Sequence, residues 1–194
     1  MFYINVEGHI QETFQENSTW TTTDVTTASG APLPVPGSAL LGCKFGVNSP
    51  IQFIASDHHI HQSWWNGSKW QTDDVTALAN APLAESGSPL TGYMFGSEPT
   101  VDYIATDQHI HQMWWNGSRE LTYDGTALGG GGIPFTSSPL TGVAFGSGDN
   151  IFYVSESPCC QLHESWWNGS KTQDIELLAT GGTFSRTGLA IAIF

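Results

Sequence analysis

The sequence predicts an all-β fold: a four-bladed β-propeller with four antiparallel strands per blade. Three observations lead there. The 194 residues are rich in Gly (22), Trp (8), Thr and Ser and poor in Lys and Arg, a composition that favours strands and turns over long helices. A motif with paired tryptophans recurs: HHIHQSWWNGSKW from His58, QHIHQMWWNGSRE from Gln108 and CQLHESWWNGSKT from Cys160, with a worn copy, GHIQETFQENSTW, from Gly8. Four such copies of about 50 residues fill residues 1–194 as a single domain. A period of this length holding four strands is that of a propeller blade.

The elements of each copy come in a fixed order. The first is an apolar segment, LLGCKFG from Leu40, LTGYMFG from Leu90 and LTGVAFG from Leu140, expected as a buried strand. An alternating run is next, IQFIAS, VDYIAT or IFYVSE, ending in a polar turn. The H-I-H-Q-x-W-W strand is third and closes at Asn-Gly, which favours the positive φ of a tight hairpin turn. A fourth strand (KWQTDD, RELTYD, KTQDIE) leads into a Pro/Gly-rich connection. Asp24, Asp74, Asp124 and Asp174 stand in matching places before short segments such as DVTTAS and DVTALA. Asx-turn or helix N-cap duty explains them better than calcium.

The chain ends suggest how the ring closes. The first copy begins at its second strand, MFYINVE, and the missing first strand appears at the end as RTGLAIAIF from Arg186. The C-terminal strand is therefore expected to complete the N-terminal blade and hide two sheet edges. A ring of eight blades, made by two chains exchanging that strand, is the alternative; closure within one chain needs no partner.

Charge excludes several partners. Five Lys+Arg against 18 Asp+Glu give a net charge of −13, so there is no basic stripe for nucleic acid and no attraction to anionic membranes. No stretch is long and apolar enough to span a bilayer. The start lacks the marks of a signal peptide, so a cytoplasmic or non-classically secreted protein is expected. Cys43, Cys159 and Cys160 do not make a disulfide framework; Ser157-Pro158-Cys159-Cys160 reads as an enlarged turn. The acidic surface keeps the chain soluble and leaves a homo-oligomer open. Asn66, Asn116 and Asn168 match glycosylation acceptors, and turn chemistry accounts for them better.

The third strand carries the candidate chemistry. Alternation places Ile60, Gln62 and Trp64 on one face and His59, His61, Ser63 and Trp65 on the other. The matched polar positions are Glu12, Gln62, Gln112 and Glu164. Beside them stand His61, His111 and His163, expected to face solvent or a ligand hydroxyl, and the trailing Trp65, Trp115 and Trp167. An aromatic face beside an amide or carboxylate suits a sugar, whose C–H face stacks on the ring while its hydroxyls meet donors and acceptors. Packing between blades is the competing role for each tryptophan, and which of each pair meets a ligand stays open. The pairs His59/His61 and His109/His111, near Asp57 in the first case, invite a metal. The first and last copies keep only His9 and His163, so no metal and no cofactor are expected. There is no G-x-S-x-G, no H-E-x-x-H, no phosphate loop and no repeated carboxylate pair, so no enzyme is expected. Repeated, non-catalytic glycan sites acting together are the leading expectation, with glycans or glycoconjugates as partners. A protein-interaction or structural propeller is the rival.

The blade pattern resembles the fucose-specific lectin superfamily of fungal and bacterial propellers, and more closely their relatives with repeated H-I-H-x-x-W-W blades. The resemblance covers all four copies and implies a propeller fold. It also implies sugar sites between blades, made by an Arg of the second strand, a Glu of the third and an aromatic. The Glu position falls on Glu12, Gln62, Gln112 and Glu164, and the trailing Trp on Trp65, Trp115 and Trp167. The Arg position falls near Pro50, Thr100 and Asn150, so the guanidinium that fucose recognition would use is missing. Four blades also depart from the six typical of that family.

Overall fold

The computed structural model describes residues 1–42, 50–145, 148–157 and 161–177. The chain divides into two compact units, Met1–Ala77 and Leu78–Phe194. In the first, β1 (Phe2–Ile4), β2 (Ile10–Glu16) and β3 (Thr19–Asp24) form one antiparallel sheet, followed by the single-turn helix α1 (Val25–Ser29). A second sheet runs in order through β4 (Leu41–Gly42), β5 (Ile51–Ile54), β6 (Ile60–Trp65) and β7 (Trp70–Asp74), and α2 (Val75–Ala79) comes after it. Ile10, Val25, Phe53, Ala55 and Trp70 make the core of this unit. Trp70 meets the ring of Phe2 edge-on, at 6.2 Å and 86°.

In the second unit, β8 (Leu90–Phe95), β9 (Glu98–Ile104), β10 (Ile110–Trp115) and β11 (Glu120–Asp124) form a four-stranded antiparallel sheet before α3 (Gly125–Gly129). The last sheet holds β12 (Ile133–Pro134), β13 (Thr141–Phe145), β14 (Gly148–Ser157), β15 (Gln161–Trp167) and β16 (Thr172–Glu176). β12 and β13 pair with opposite ends of the long β14. Ile104, Ile110, Leu140, Ile151 and Tyr153 are its core. The expected four-strand repeat is thus present, and among the described residues no helix is long and apolar enough to cross a membrane. The proposed closing strand from Arg186, and all three cysteines, lie outside the described residues.

Local chemistry explains the repeat. The aspartates at the end of the outer strand do cap helices: Asp24, Asp74 and Asp124 accept from the backbone N–H groups of Thr27, Ala77 and Ala127 at 2.7–2.9 Å. Their second oxygens hold Nδ1 of His9, His59 and His109 at 2.6–2.7 Å. At the second residue of each helix, Thr26, Thr76 and Thr126 accept the N–H of Ile10, Ile60 and Ile110, at 2.8–2.9 Å. A buried donor at the start of the third strand is thereby satisfied. Ser38, Ser88 and Ser138 do the same for Ile54, Ile104 and Val154.

Several expectations are corrected. Asp174 is not the fourth cap: His61 pairs with Asp74 and His111 with Asp124, but His163 pairs with Glu176. The 52-residue spacing of the last copy shifts its outer strand by two residues, so Asp174 faces Ser165 instead. The Asn-Gly hairpin turn does use a positive φ, at Gly67 (+95°), within a four-residue connection such as Asn66–Lys69, where Asn66 Oδ1 accepts from the Ser68 and Lys69 backbone. The worn copy has the two-residue turn, with Asn17 and Ser18 at φ +49° and +66°. The T-G-x-x-F strand β8 is half-buried rather than buried.

The double duty of the cap fixes its expected energetics. Replacing Asp124 with Ala should destabilise the protein by ~1–2 kcal/mol, since the helix loses its cap and His109 its partner. His109→Gln should cost under ~1 kcal/mol, because that pair is about one-third exposed and screened. Denaturant unfolding of both variants checks the ranking.

Candidate ligand cleft of the second unit

The paired-tryptophan strand β10 places Gln112 opposite Asp102 of β9 on one side and Tyr123 of β11 on the other. Beyond β9, Tyr93 of β8 pairs with Thr100. These side chains face the neighbouring sheet, which presents Asp149 of β14, Trp167 of β15 and Thr172 of β16. Between the two sheets lies a cleft of about 280 Å³. Trp114, Tyr123 and Trp167 give it aromatic walls, Phe95 and Leu128 add apolar surface, and Gln112, Thr100, Glu98, Asp149 and Thr172 line the rest. Trp114 meets Tyr123 edge-on at 5.7 Å and 69°.

The floor is a buried hydrogen-bonded chain. Gln112 donates its amide to the Tyr93 hydroxyl at 2.8 Å and to Asp102 Oδ1 at 2.9 Å. Tyr93 donates in turn to Asp149 Oδ1. Asp102 is fully buried, and its Oδ2 has no hydrogen-bond partner. A Cβ at Gly142 of β13 would overlap the Tyr93 ring and lie 2.7 Å from Asp102 Oδ2; glycine allows the two sheets to close over the chain of polar groups. Burial, and then the charge of Asp149, push the Asp102 carboxyl well above the ordinary carboxylate range. Burial likewise raises Asp149, against the hydrogen bonds of Tyr93 and Gln112. Burial and both carboxyls keep the Tyr93 phenol protonated, hence a donor.

Of the ten residues singled out in the sequence, Gln112 and Trp167 come together in this cleft. Glu12, Gln62 and Glu164 stand half-buried at the same register place in their own sheets, opposite Phe2, Gln52 and Phe152. Burial raises the carboxyls of Glu12 and Glu164. Trp65 and Trp115 are exposed, at 46% and 40%. The expectation of solvent-facing histidines is corrected: His61, His111 and His163 are each 7% exposed. His61 and His163 stack on Phe53 and Tyr153, and His111 lies tilted against Tyr103. Each keeps a carboxylate on the other side, Asp57, Asp107 and Asp174 respectively, at 2.6–3.1 Å. Both members of the tryptophan pair take part, Trp114 from one sheet and Trp167 from the next.

Asp102, Asp149, Tyr93, Tyr123 and Thr172 were missed. They are the positions where copies differ. Tyr93 stands where the other copies have Cys43 and Val143, and Asp102 where they have Gln52 and Phe152. Thr172, paired with Trp167, occupies the place of Trp70, paired with Trp65. In the first unit that place is filled by the indole packed on Phe2; in the second it holds Glu120 opposite Trp115 and, beside the cleft, the small Thr172.

One set of side chains has metal-ligand character. Among the described residues, Asp107, His109 and Asp124 bring ligand atoms within 4.8 Å of one another. Each already serves the fold: Asp124 caps α3 and holds His109, and Asp107 accepts from the His109 backbone and from His111.

No family model matches the chain, and no curated protein is similar to it. Solved structures are. AofleA from Arthrobotrys oligospora superposes with a TM-score of 0.64 at 15% identity, over 89% of this chain and 51% of its own. The Aleuria aurantia lectin, a six-bladed β-propeller with fucose recognition, gives 0.58 at 16%, over 95% and 59%. A fucose lectin from Kordia zhangzhouensis, solved with methyl-fucoside, gives 0.50 at 19%, over 70% and 96%. The chain thus spans little more than half the length of the two fungal proteins. Its fold is that of the fucose-lectin β-propellers.

The buried carboxyls set a pH dependence. A carboxyl whose pKa is raised by folding stabilises the fold while protonated, and that contribution is lost as pH rises through the raised value. Asp102→Asn mimics the protonated form. It should raise stability at neutral pH by ~1–3 kcal/mol and flatten the decline between mildly acidic and neutral pH, read as Tm against pH. A fall in Tm at neutral pH would contradict the assignment.

Proposed function

We propose that the protein binds carbohydrate, without catalysis, in clefts between neighbouring blades. The observation that carries this is the cleft bounded by Trp114, Tyr123 and Trp167 with Gln112, Thr100 and Asp149 within it. Its walls suit the C–H faces of a sugar ring, and its amide, hydroxyl and carboxyl groups suit hydroxyls of fixed direction. The volume, at the small end for ligand sites, is that of one sugar residue. The fucose-binding proteins of the same fold support the reading, as does the four-fold repeat, which we take to form four blades. Replacing Trp70 by Thr172 at one register place is what opens the cleft, so the sites need not be equal.

Quenching or enhancement of tryptophan fluorescence by a panel of methyl glycosides tests the proposal. A saturable response is expected. Thr172→Trp, which fills the cleft as Trp70 does in the first unit, should abolish it while the far-UV spectrum is kept. Trp114→Ala should weaken binding about tenfold, a loss of ~1.4 kcal/mol, and Trp115→Ala should weaken it far less. No response across the panel would remove the proposal.

A further inference from the structure

Building on the glycan reading, we infer that this cleft selects a sugar carrying a positive charge, an amino sugar with a free ammonium group. The floor holds two carboxyl groups, Asp102 and Asp149, joined through Tyr93 and Gln112. A buried acid is either held protonated or paired with a cation, and an ammonium group beside Asp149 favours its ionised form. Among the described residues no lysine, arginine or histidine lines the cleft, whereas Glu98 brings a third carboxyl group to it. Among them the floor has no positive partner.

The walls have the same preference. Trp114, Tyr123 and Trp167 line the cleft, and an aromatic face attracts an ammonium held within about 6 Å, more strongly when it is desolvated. A neutral hydroxyl gains the hydrogen bonds and no such attraction. A sugar acid or phosphate would meet carboxylates and the negative face of each ring, and both repel it. The whole protein, at −13, steers cations in and anions away. Asp149 is the group through which the floor reaches the ligand: it lines the cleft and accepts from Tyr93, while Asp102 lies behind Gln112 at the far end of the chain.

Titration calorimetry of the full chain at neutral pH and low ionic strength decides this. The probes are methyl glycosides of glucosamine, galactosamine and mannosamine, each beside its neutral parent and its N-acetyl form, with tetramethylammonium as a sugar-free cation. At least one amine should bind about tenfold tighter than its parent and its N-acetyl form, and added salt should weaken only the amine. Asp149→Asn should shrink the preference to about twofold. Glu98→Gln, a change at the cleft edge, should shrink it in part and serves where the first variant fails to fold. Neutral parents binding as tightly as the amines would overturn the charge selection and leave the glycan reading standing. Tetramethylammonium binding as tightly as the best amine, with no neutral sugar bound, would remove the glycan reading and leave the cation site. Failure of every probe would remove both.

Discussion

The carboxylate that ends the outer strand of the first three repeats holds the rest of each repeat in place. One oxygen of Asp24, Asp74 or Asp124 receives the helix N–H, and the other grips the histidine that begins the third strand. Strand end, helix start and hairpin neighbour are thereby fixed by one side chain. The threonine two residues later carries the tie inward, through a buried bond to the strand backbone. Burial would raise the Asp24 carboxyl, but the Thr27 N–H and hydroxyl and His9 hold it below the ordinary carboxylate range. The Asp24 clasp therefore works in its ionised form, and its contribution is lost as pH falls through the lowered value.

In the last repeat that device is displaced. Two extra residues move Asp174 inward by two register places, where it is nearly buried and takes both His163 Nδ1 and the Tyr153 hydroxyl. The strand pair β14–β15 continues through Ser155↔Gln161 in place of the tight turn of the second and third repeats. The carboxylate no longer serves a helix start; it anchors the inner side of the sheet. That sheet then supplies Asp149, Trp167 and Thr172 to the cleft. The irregular repeat and the open cleft occur together.

Most of the fold was legible because repetition multiplies weak signals: four copies of one hydrophobic pattern leave little choice of strand, and three aspartates before three short segments read correctly as caps. The shifted Asp174 was not legible, because spacing alone does not tell on which side of an insertion a residue belongs; pairing does. The histidines were misjudged for a related reason. In H-x-H both rings share a face, but His59 holds the cap while His61 is buried against Phe53, a division set by the Phe or Tyr across the sheet. That pattern is visible in retrospect as Phe53, Tyr103 and Tyr153 opposite His61, His111 and His163.

The site obeys a different logic from the fold. Residues common to every copy are those the architecture needs, and of the ten repeated positions only Gln112 and Trp167 line the cleft. What makes a cleft specific is departure from the repeat: tyrosine for cysteine or valine at 93, aspartate for glutamine or phenylalanine at 102, threonine for tryptophan at 172. Two of these departures work against stability taken alone, since one buries a carboxyl with an unpartnered oxygen and another leaves a hollow where an indole would pack. Close packing and paired charge are what a fold gains by default. Both are given up at one place between two sheets lined by Trp114, Tyr123 and Trp167, where the departures from the repeat coincide.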